Sequence, residues 1–171
     1  MISSPCLKVK VVPPDILSTE QNEKMKKIVV LFGTESGNAE MAADDIAAIL
    51  MEGGLHAEVT PMEDYSPTEL AAQTPVVLVT STYAEGELPE TTAPFYGALE
   101  EEAPDLTKLS FAAFGLGDST YKQFNNAILT MKDKLVELGA TAIGDVGMHD
   151  AASGKPITDV AKEWARKTFS I

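Results

Sequence analysis

The sequence predicts an α/β fold with three layers, in which a doubly wound, five-stranded parallel sheet lies between two layers of helices. Short continuous apolar runs, such as Ile28–Phe32 and Val76–Thr80, are typical of strands that are buried on both faces. These runs alternate with helical segments along the chain, and that alternation builds a parallel sheet covered on both sides. The chain has 171 residues and is 44% hydrophobic, which suits one domain with a substantial core.

The helices are recognised by apolar residues at helical spacing and by the glycines that end them. Met41, Ala42 and Ile46 share one face of the first helix, which ends at Gly53-Gly54, and the third helix ends at Gly139. The predicted elements, in order, are strand Ile28–Phe32, helix Asn38–Glu52, strand Leu55–Thr60, a helical turn at Leu70–Gln73, strand Val76–Thr80, helix Thr91–Glu102, strand Leu109–Phe114, helix Tyr121–Leu138, strand Thr141–Ile143 and helix Ile157–Phe169.

Composition excludes several classes of function. Thirteen Lys and Arg against 26 Asp and Glu give a net charge of −13. Nucleic acid is therefore not expected as a partner, whereas a protein with a basic surface is expected. No apolar run is long enough to cross a bilayer, so no membrane partner is expected. Cys6 is the only cysteine, and His56 and His149 are far apart, so neither a disulfide nor a metal site is predicted. We expect a cytoplasmic monomer.

The first 24 residues differ in charge from the rest of the chain. They contain three basic and three acidic residues, so the whole negative charge belongs to residues 25–171, and Pro13-Pro14 interrupts any regular element. We interpret residues 1–24 as a peripheral extension and residues 25–171 as the functional domain. The alternatives are a leader from a mis-assigned start, since Met25 precedes the first strand, and a strand-like arm packed on the domain.

Three loops that follow predicted strands carry the signals for function, because ligands of such sheets bind beyond the carboxyl ends of the strands. The first loop, 34–40, has two hydroxyls, an amide and the N–H groups of a helix N-terminus, which suits a phosphate. It contains no lysine, so a nucleoside triphosphate loop is excluded. The alternative is an ordinary helix cap in which Ser36 or Asn38 caps the helix.

The second loop, 81–89, and the third loop, 115–121, each place a tyrosine at the same edge of the sheet. Tyr83 and Tyr121 are singly typical of surface packing. Two aromatic residues that converge on a phosphate site indicate a ligand with a flat ring between them.

Together the segments Thr34–Glu40, Ser81–Pro89 and Phe114–Phe124 strongly resemble the three FMN-binding loops of flavodoxin-like proteins. The similarity covers about residues 26–168 and is closest to short-chain, MioC-type flavodoxins and to the FMN domains of sulfite reductase and cytochrome P450 reductase. It implies FMN as cofactor and the strand order 2-1-3-4-5 that is known for flavodoxin. No extra loop of the long-chain type lies between Gly117 and the last strand.

The resemblance also implies which residues contact FMN. The first loop is expected to wrap the ribityl phosphate, and the other two loops are expected to line opposite sides of the isoalloxazine, with Tyr121 stacked on it. The implied residues are Thr34, Glu35, Ser36, Gly37, Asn38 and Ala39 for the phosphate, and Ser81, Thr82, Tyr83, Ala84, Gly86, Leu116, Gly117, Asp118, Tyr121, Phe124 and Asn125 for the ring. Asp150 is a further candidate to approach the ring, whereas no special role is expected for either histidine.

Ala84 departs from the family, which usually has glycine after the tyrosine of the second loop. In the family that peptide turns over on one-electron reduction, and the turned form suits glycine better than alanine. We therefore expect Ala84 to lower the stability of the one-electron-reduced flavin.

The predicted function is electron transfer, with FMN taking electrons from an NAD(P)H-dependent flavoprotein reductase and passing them to an acceptor enzyme. The family serves cytochromes P450, sulfite reduction and radical enzymes, and the loops do not choose among them. Glu85, Glu87 and Glu90 are expected to form an acidic rim for a partner with a basic docking face. The alternative is an FMN-dependent NAD(P)H:quinone oxidoreductase. A receiver domain is rejected because no acidic pair ends the first strand.

Overall fold

A computed structural model describes residues 27–73 and 75–171, so the predicted extension 1–24 lies outside the described residues. Strands and helices alternate as expected, joined in part by short 3-10 helices. In chain order the elements are β1 (Lys27–Gly33), α1 (Asn38–Glu52), β2 (His56–Pro61), 3-10 helices at Met62–Asp64 and Pro67–Ala72, β3 (Val76–Ser81), α2 (Ala93–Glu102), β4 (Ser110–Gly117), α3 (Asn126–Glu137), β5 (Thr141–Ala142), β6 (Gly147–Asp150), a 3-10 helix at Ala151–Ser153 and α4 (Ile157–Phe169).

All strand pairs in the sheet are parallel, and the strand order is β2-β1-β3-β4-β5, which confirms the predicted fold. The number of strands needs a correction, because the fifth position is shared by two short strands. β5 pairs with the start of β4 and β6 pairs with its end. Between them the chain leaves the sheet over residues 143–146, where Gly144 has a φ of 62°.

The core forms two apolar layers, one on each face of the sheet. Val30 and Phe32 of β1 pack with α1 and α4, whereas Val29 and Leu31 pack with α2 and α3. Adjacent strand residues therefore enter opposite layers, which explains why β1 has no polar residue between its ends. Neither layer covers the carboxyl ends of the strands, where the three loops lie.

Two helices begin later than the sequence predicts. The helix predicted from Tyr121 begins at Asn126, because Asn125 has a left-handed backbone (φ 53°) that cannot continue a helix backward. The helix predicted from Thr91 begins at Ala93, with Pro94 in its first turn, and the side chains of Thr91 and Thr92 hydrogen-bond to other segments. Residues that patterning placed in helices are thus free to shape the loops.

No helix in the two described ranges is both long and apolar enough to cross a membrane. Within the same ranges, no three His, Cys, Asp or Glu side chains are grouped so that they could hold a metal ion.

Candidate functional site

The three loops enclose a cavity of about 390 Å³ at the carboxyl ends of β1, β3, β4 and β6. Its size lies in the range of roughly 300–1,000 Å³ that small-molecule sites occupy. Twelve of the residues predicted to bind the ligand line it: Glu35, Ser36, Asn38, Ser81, Thr82, Tyr83, Ala84, Leu116, Gly117, Asp118, Tyr121 and Asn125. The structure thus brings the three loops to one place.

The first loop is organised by a threonine hydroxyl. Thr34 Oγ1 accepts the N–H groups of Gly37 at 2.9 Å and Ala39 at 3.4 Å, and Gly37 takes a φ of 85° at the N-cap of α1. The N-cap residue is thus Gly37, not Ser36 or Asn38, and the hydroxyl that accepts the N–H groups at the start of the helix belongs to Thr34. The alternative in which Ser36 or Asn38 caps α1 is therefore wrong, and both of these residues face the cavity instead.

The second loop makes a tight turn beneath the cavity. Tyr83 O accepts the N–H groups of Gly86 at 3.1 Å and Glu87 at 2.8 Å. Ala84 lies in this turn with a φ of 45°, a region that favours glycine. The Gly86 carbonyl accepts a hydrogen bond from Asn126 Nδ2 at 2.8 Å, so α3 holds the turn in place.

The third loop surrounds a buried asparagine. Asn125 is fully buried and lines the cavity, and a Cβ at Gly117 would lie 2.9 Å from its backbone nitrogen. Its Nδ2 donates to His149 O over a long 3.4 Å. Among the described residues, Asn125 Oδ1 is the buried side-chain atom that has no hydrogen-bond partner. Such an atom is costly to bury unless a ligand supplies a donor.

The two tyrosines keep their rings accessible. Tyr83 is 50% exposed and Tyr121 is 53% exposed, and both line the cavity from different loops. One exposed aromatic ring is ordinary on a protein surface, but two that line the same cavity indicate a ligand that covers them. Their arrangement suits a flat ligand with one edge open to solvent.

Five predicted residues do not line the cavity. Thr34, Gly37 and Ala39 form the hydrogen-bonded framework behind the first loop. Gly86 belongs to the second loop, and a Cβ there would stand 2.5 Å from Gln123 Cβ. Phe124 is half-buried and follows the third loop in sequence. Contact between any predicted residue and FMN stays a prediction.

Four lining residues were not predicted: Gln123, His149, Ala151 and Ile157. His149 is 5% exposed, and its Nε2 hydrogen-bonds to Lys155 O at 2.7 Å. It therefore lies in the cavity wall, and the expectation that it has no special role stays a prediction. Its position depends on β6, which pairs His149 with Leu116. Only Gln123 carried a signal, because it lies within the third motif.

Asp150 is held next to the third loop and is not among the residues that line the cavity. Its Oδ1 accepts the N–H groups of Ser119 and Ala152, each at 2.9 Å. Hydrogen bonds from Ser119 lower the pKa of Asp150 below its ordinary value, and the bond from the Ser119 side chain has a larger effect than the bond from its backbone. The carboxylate therefore ties β6 to the third loop.

The comparisons with known proteins agree with this geometry. The family model described as "Flavodoxin" matches residues 30–164. The chain belongs to the flavodoxin family. Among curated relatives it is 37% identical to the sulfite reductase [NADPH] flavoprotein alpha-component of Thiocapsa roseopersicina, over 70% of this chain and 23% of that protein. It is 32% identical to the NADPH–cytochrome P450 reductase of Rattus norvegicus, over 84% of this chain and 22% of that protein.

Solved flavodoxins are similar over nearly their whole length. Oxidised flavodoxin 2 from Bacillus cereus matches with a TM-score of 0.75 and 28% identity, over 84% of this chain and 98% of that one. A cysteine-to-serine mutant of the flavodoxin from Pseudomonas aeruginosa also gives 0.75 and 28%, over 82% of this chain and 95% of that one. By contrast, the chain spans less than a quarter of the two curated reductases.

FMN is the cofactor of this flavodoxin, and the residues at the site fit it. The helix N-terminus of the first loop suits the phosphate, the unpartnered Asn125 Oδ1 suits a hydroxyl of the ribityl chain, and the two tyrosines suit the ring. When bound, FMN supplies the redox chemistry of an electron-transfer protein. This chain's own residues would bind and orient it, and the exposed Tyr83 and Tyr121 would leave one edge of the ring open to solvent.

Proposed function

We propose that this flavodoxin takes electrons from an NAD(P)H-dependent flavoprotein reductase and passes them to an acceptor enzyme with a basic docking face. The observation that carries the proposal is the cavity between Tyr83 and Tyr121, which is open to solvent and lined by all three loops. An electron carrier needs such an exposed ring, because transfer to another protein requires close approach of the two cofactors.

The charge around this opening supports a basic partner. Glu35, Glu85, Glu87, Glu90 and Asp118 belong to the loops at this edge of the sheet, and the four glutamates are exposed. Like charges at one edge steer an oppositely charged protein toward it. The acceptor is proposed to be a cytochrome P450, a sulfite reductase or a radical enzyme.

A cytoplasmic, monomeric protein of the short-chain type is part of the same proposal. The single cysteine among 171 residues is typical of a reducing compartment, and a net charge of −13 opposes self-association. Only residues 143–146 separate β5 from β6, which leaves no room for a long inserted loop there.

The test has two steps with the purified full chain. The apoprotein is titrated with FMN, whose fluorescence should be quenched with 1:1 stoichiometry. The FMN-loaded protein is then mixed with NADPH and purified NADPH–cytochrome P450 reductase, and bleaching at 450 nm should require that reductase. Steady NADPH oxidation with a quinone and no reductase would instead establish the quinone oxidoreductase. Failure to bind FMN would refute both functions.

A further inference from the structure

The first loop is tied to the segment just before α2 by three hydrogen bonds. Thr91 Oγ1 accepts the backbone N–H of Thr34 at 2.7 Å and donates to the carbonyl of the same residue at 2.8 Å. Next to it, Glu90 N–H donates to Glu35 Oε1 at 2.6 Å. One threonine hydroxyl therefore satisfies both backbone groups of Thr34, although the two residues are 57 positions apart in sequence.

The segment that carries Thr91 is anchored in the core, so it can serve as a fixed support. Thr92 is fully buried and its Oγ1 hydrogen-bonds to Thr80 Oγ1 of β3 at 2.9 Å. Its side chain lies against Gly33 of β1, where a Cβ would collide with the Thr92 hydroxyl. The backbone N–H of Thr92 also donates to Pro89 O at 2.9 Å.

The ordering continues from Thr34 to the helix. Thr34 Oγ1 accepts the N–H groups of Gly37 and Ala39, so fixing the Thr34 backbone also fixes the first turn of α1. A hydroxyl that accepts two N–H groups keeps its own proton to donate. An anion at this helix N-terminus would provide the acceptor for that proton.

We propose that Thr91 is a positioning residue for the phosphate loop, and that its hydrogen bonds to Thr34 set how strongly the protein prefers FMN to riboflavin. The inference rests on the proposed function, because it concerns the phosphate end of the same cofactor. Thr91 does not line the cavity and acts only through Thr34. A contribution limited to the phosphate distinguishes this role from general support of the fold.

The experiment compares the dissociation constants of FMN and riboflavin for the apo forms of wild type and variants. Thr91→Val keeps the shape and removes the hydroxyl, so FMN affinity is expected to fall about three- to tenfold while riboflavin affinity changes less than about twofold. Thr91→Ser retains the hydroxyl and should recover the wild-type preference. Should the valine variant not fold, Thr91→Ala gives the same comparison with a smaller side chain.

Thr107→Val is the matched control. Its hydroxyl hydrogen-bonds to Asp105 in the loop before β4, at the opposite edge of the sheet. Both affinities should stay at the wild-type value. An equal loss of FMN and riboflavin binding in Thr91→Val, or an unchanged ratio, would overturn the inference. A wild-type protein that binds neither compound would instead refute the proposed function.

Discussion

Ala84 lies in the wall of the flavin site, and its backbone conformation is unfavourable for a residue with a side chain. Its φ of 45° belongs to the left-handed region, where Cβ approaches the following carbonyl oxygen. Ala103, which ends α2 with a φ of 40°, carries the same strain far from the cavity. The two alanines allow the strain and its functional effect to be separated.

We predict that Ala84→Gly and Ala103→Gly each raise the free energy of unfolding by roughly 0.5–1 kcal/mol in urea titrations, because glycine adopts positive φ without strain. Only Ala84→Gly should also change the redox titration. Glycine lets the second loop adopt either backbone orientation, so the share of one-electron-reduced flavin should rise. An unchanged share in Ala84→Gly, or an equal rise in Ala103→Gly, would contradict the expected role of Ala84.

At the scale of elements, β6 depends on a glycine that lets two aromatic rings approach the strand. Trp164 of α4 packs against Phe114 of β4 with ring centroids 5.3 Å apart, and its Nε1 donates to Asp145 O at 3.0 Å. A Cβ at Gly147 would lie 2.6 Å from Trp164 Cδ1 and closer still to the Phe114 ring. The rings therefore hold β6 beside β4 only while position 147 has no side chain.

Gly147→Ala is therefore expected to lower the free energy of unfolding by about 1–3 kcal/mol, because the rings must move to admit the methyl group. FMN affinity should fall as well, since β6 places His149 in the cavity wall. The control is Gly97→Ala in α2, where an added Cβ meets nothing within 4 Å. Alanine there should stabilise by about 0.5–1 kcal/mol. Equal stability of Gly147→Ala and wild type in urea would refute this account of β6.

At the scale of the whole molecule, the proposed docking of a basic partner depends on how the net charge of −13 is distributed. Glu85 and Glu87 lie in the second loop beside the cavity, whereas Glu101 and Glu102 end α2 at the other edge of the sheet. All four are exposed. Their positions allow the same change in net charge to be made near the flavin or away from it.

Reversing Glu85 and Glu87 to lysine is expected to slow electron transfer to cytochrome c, a basic acceptor, by about tenfold at low salt, because electrostatic steering is lost. The difference from wild type should shrink as ionic strength rises. Stopped-flow mixing of the chemically reduced protein with cytochrome c measures the rate. Glu101→Lys with Glu102→Lys should change it less than about twofold. Equal slowing by both pairs would mean that net charge matters and the rim does not.

Many features of this structure can be predicted from patterns within single segments of the sequence. Buried strands such as β1 and β3 are read from apolar runs, and α1 begins and ends where its spacing and glycines indicate. The three loop motifs were equally local, because each lies directly after a strand whose carboxyl end must meet the others at one edge of the sheet. The fold and the place of the site could therefore be predicted.

Features that depend on contacts between residues far apart in sequence could not be predicted in this way. β6 is a strand only because β4 offers unpaired backbone groups beside it, and His149 enters the cavity wall as a consequence. Thr91 was predicted to begin a helix, yet its hydroxyl binds the backbone of Thr34, 57 residues away. Periodicity and spacing report which face of a segment is buried, since they arise within that segment. Hydrogen bonds between loops that are far apart in sequence are decided only when the sheet brings those loops together.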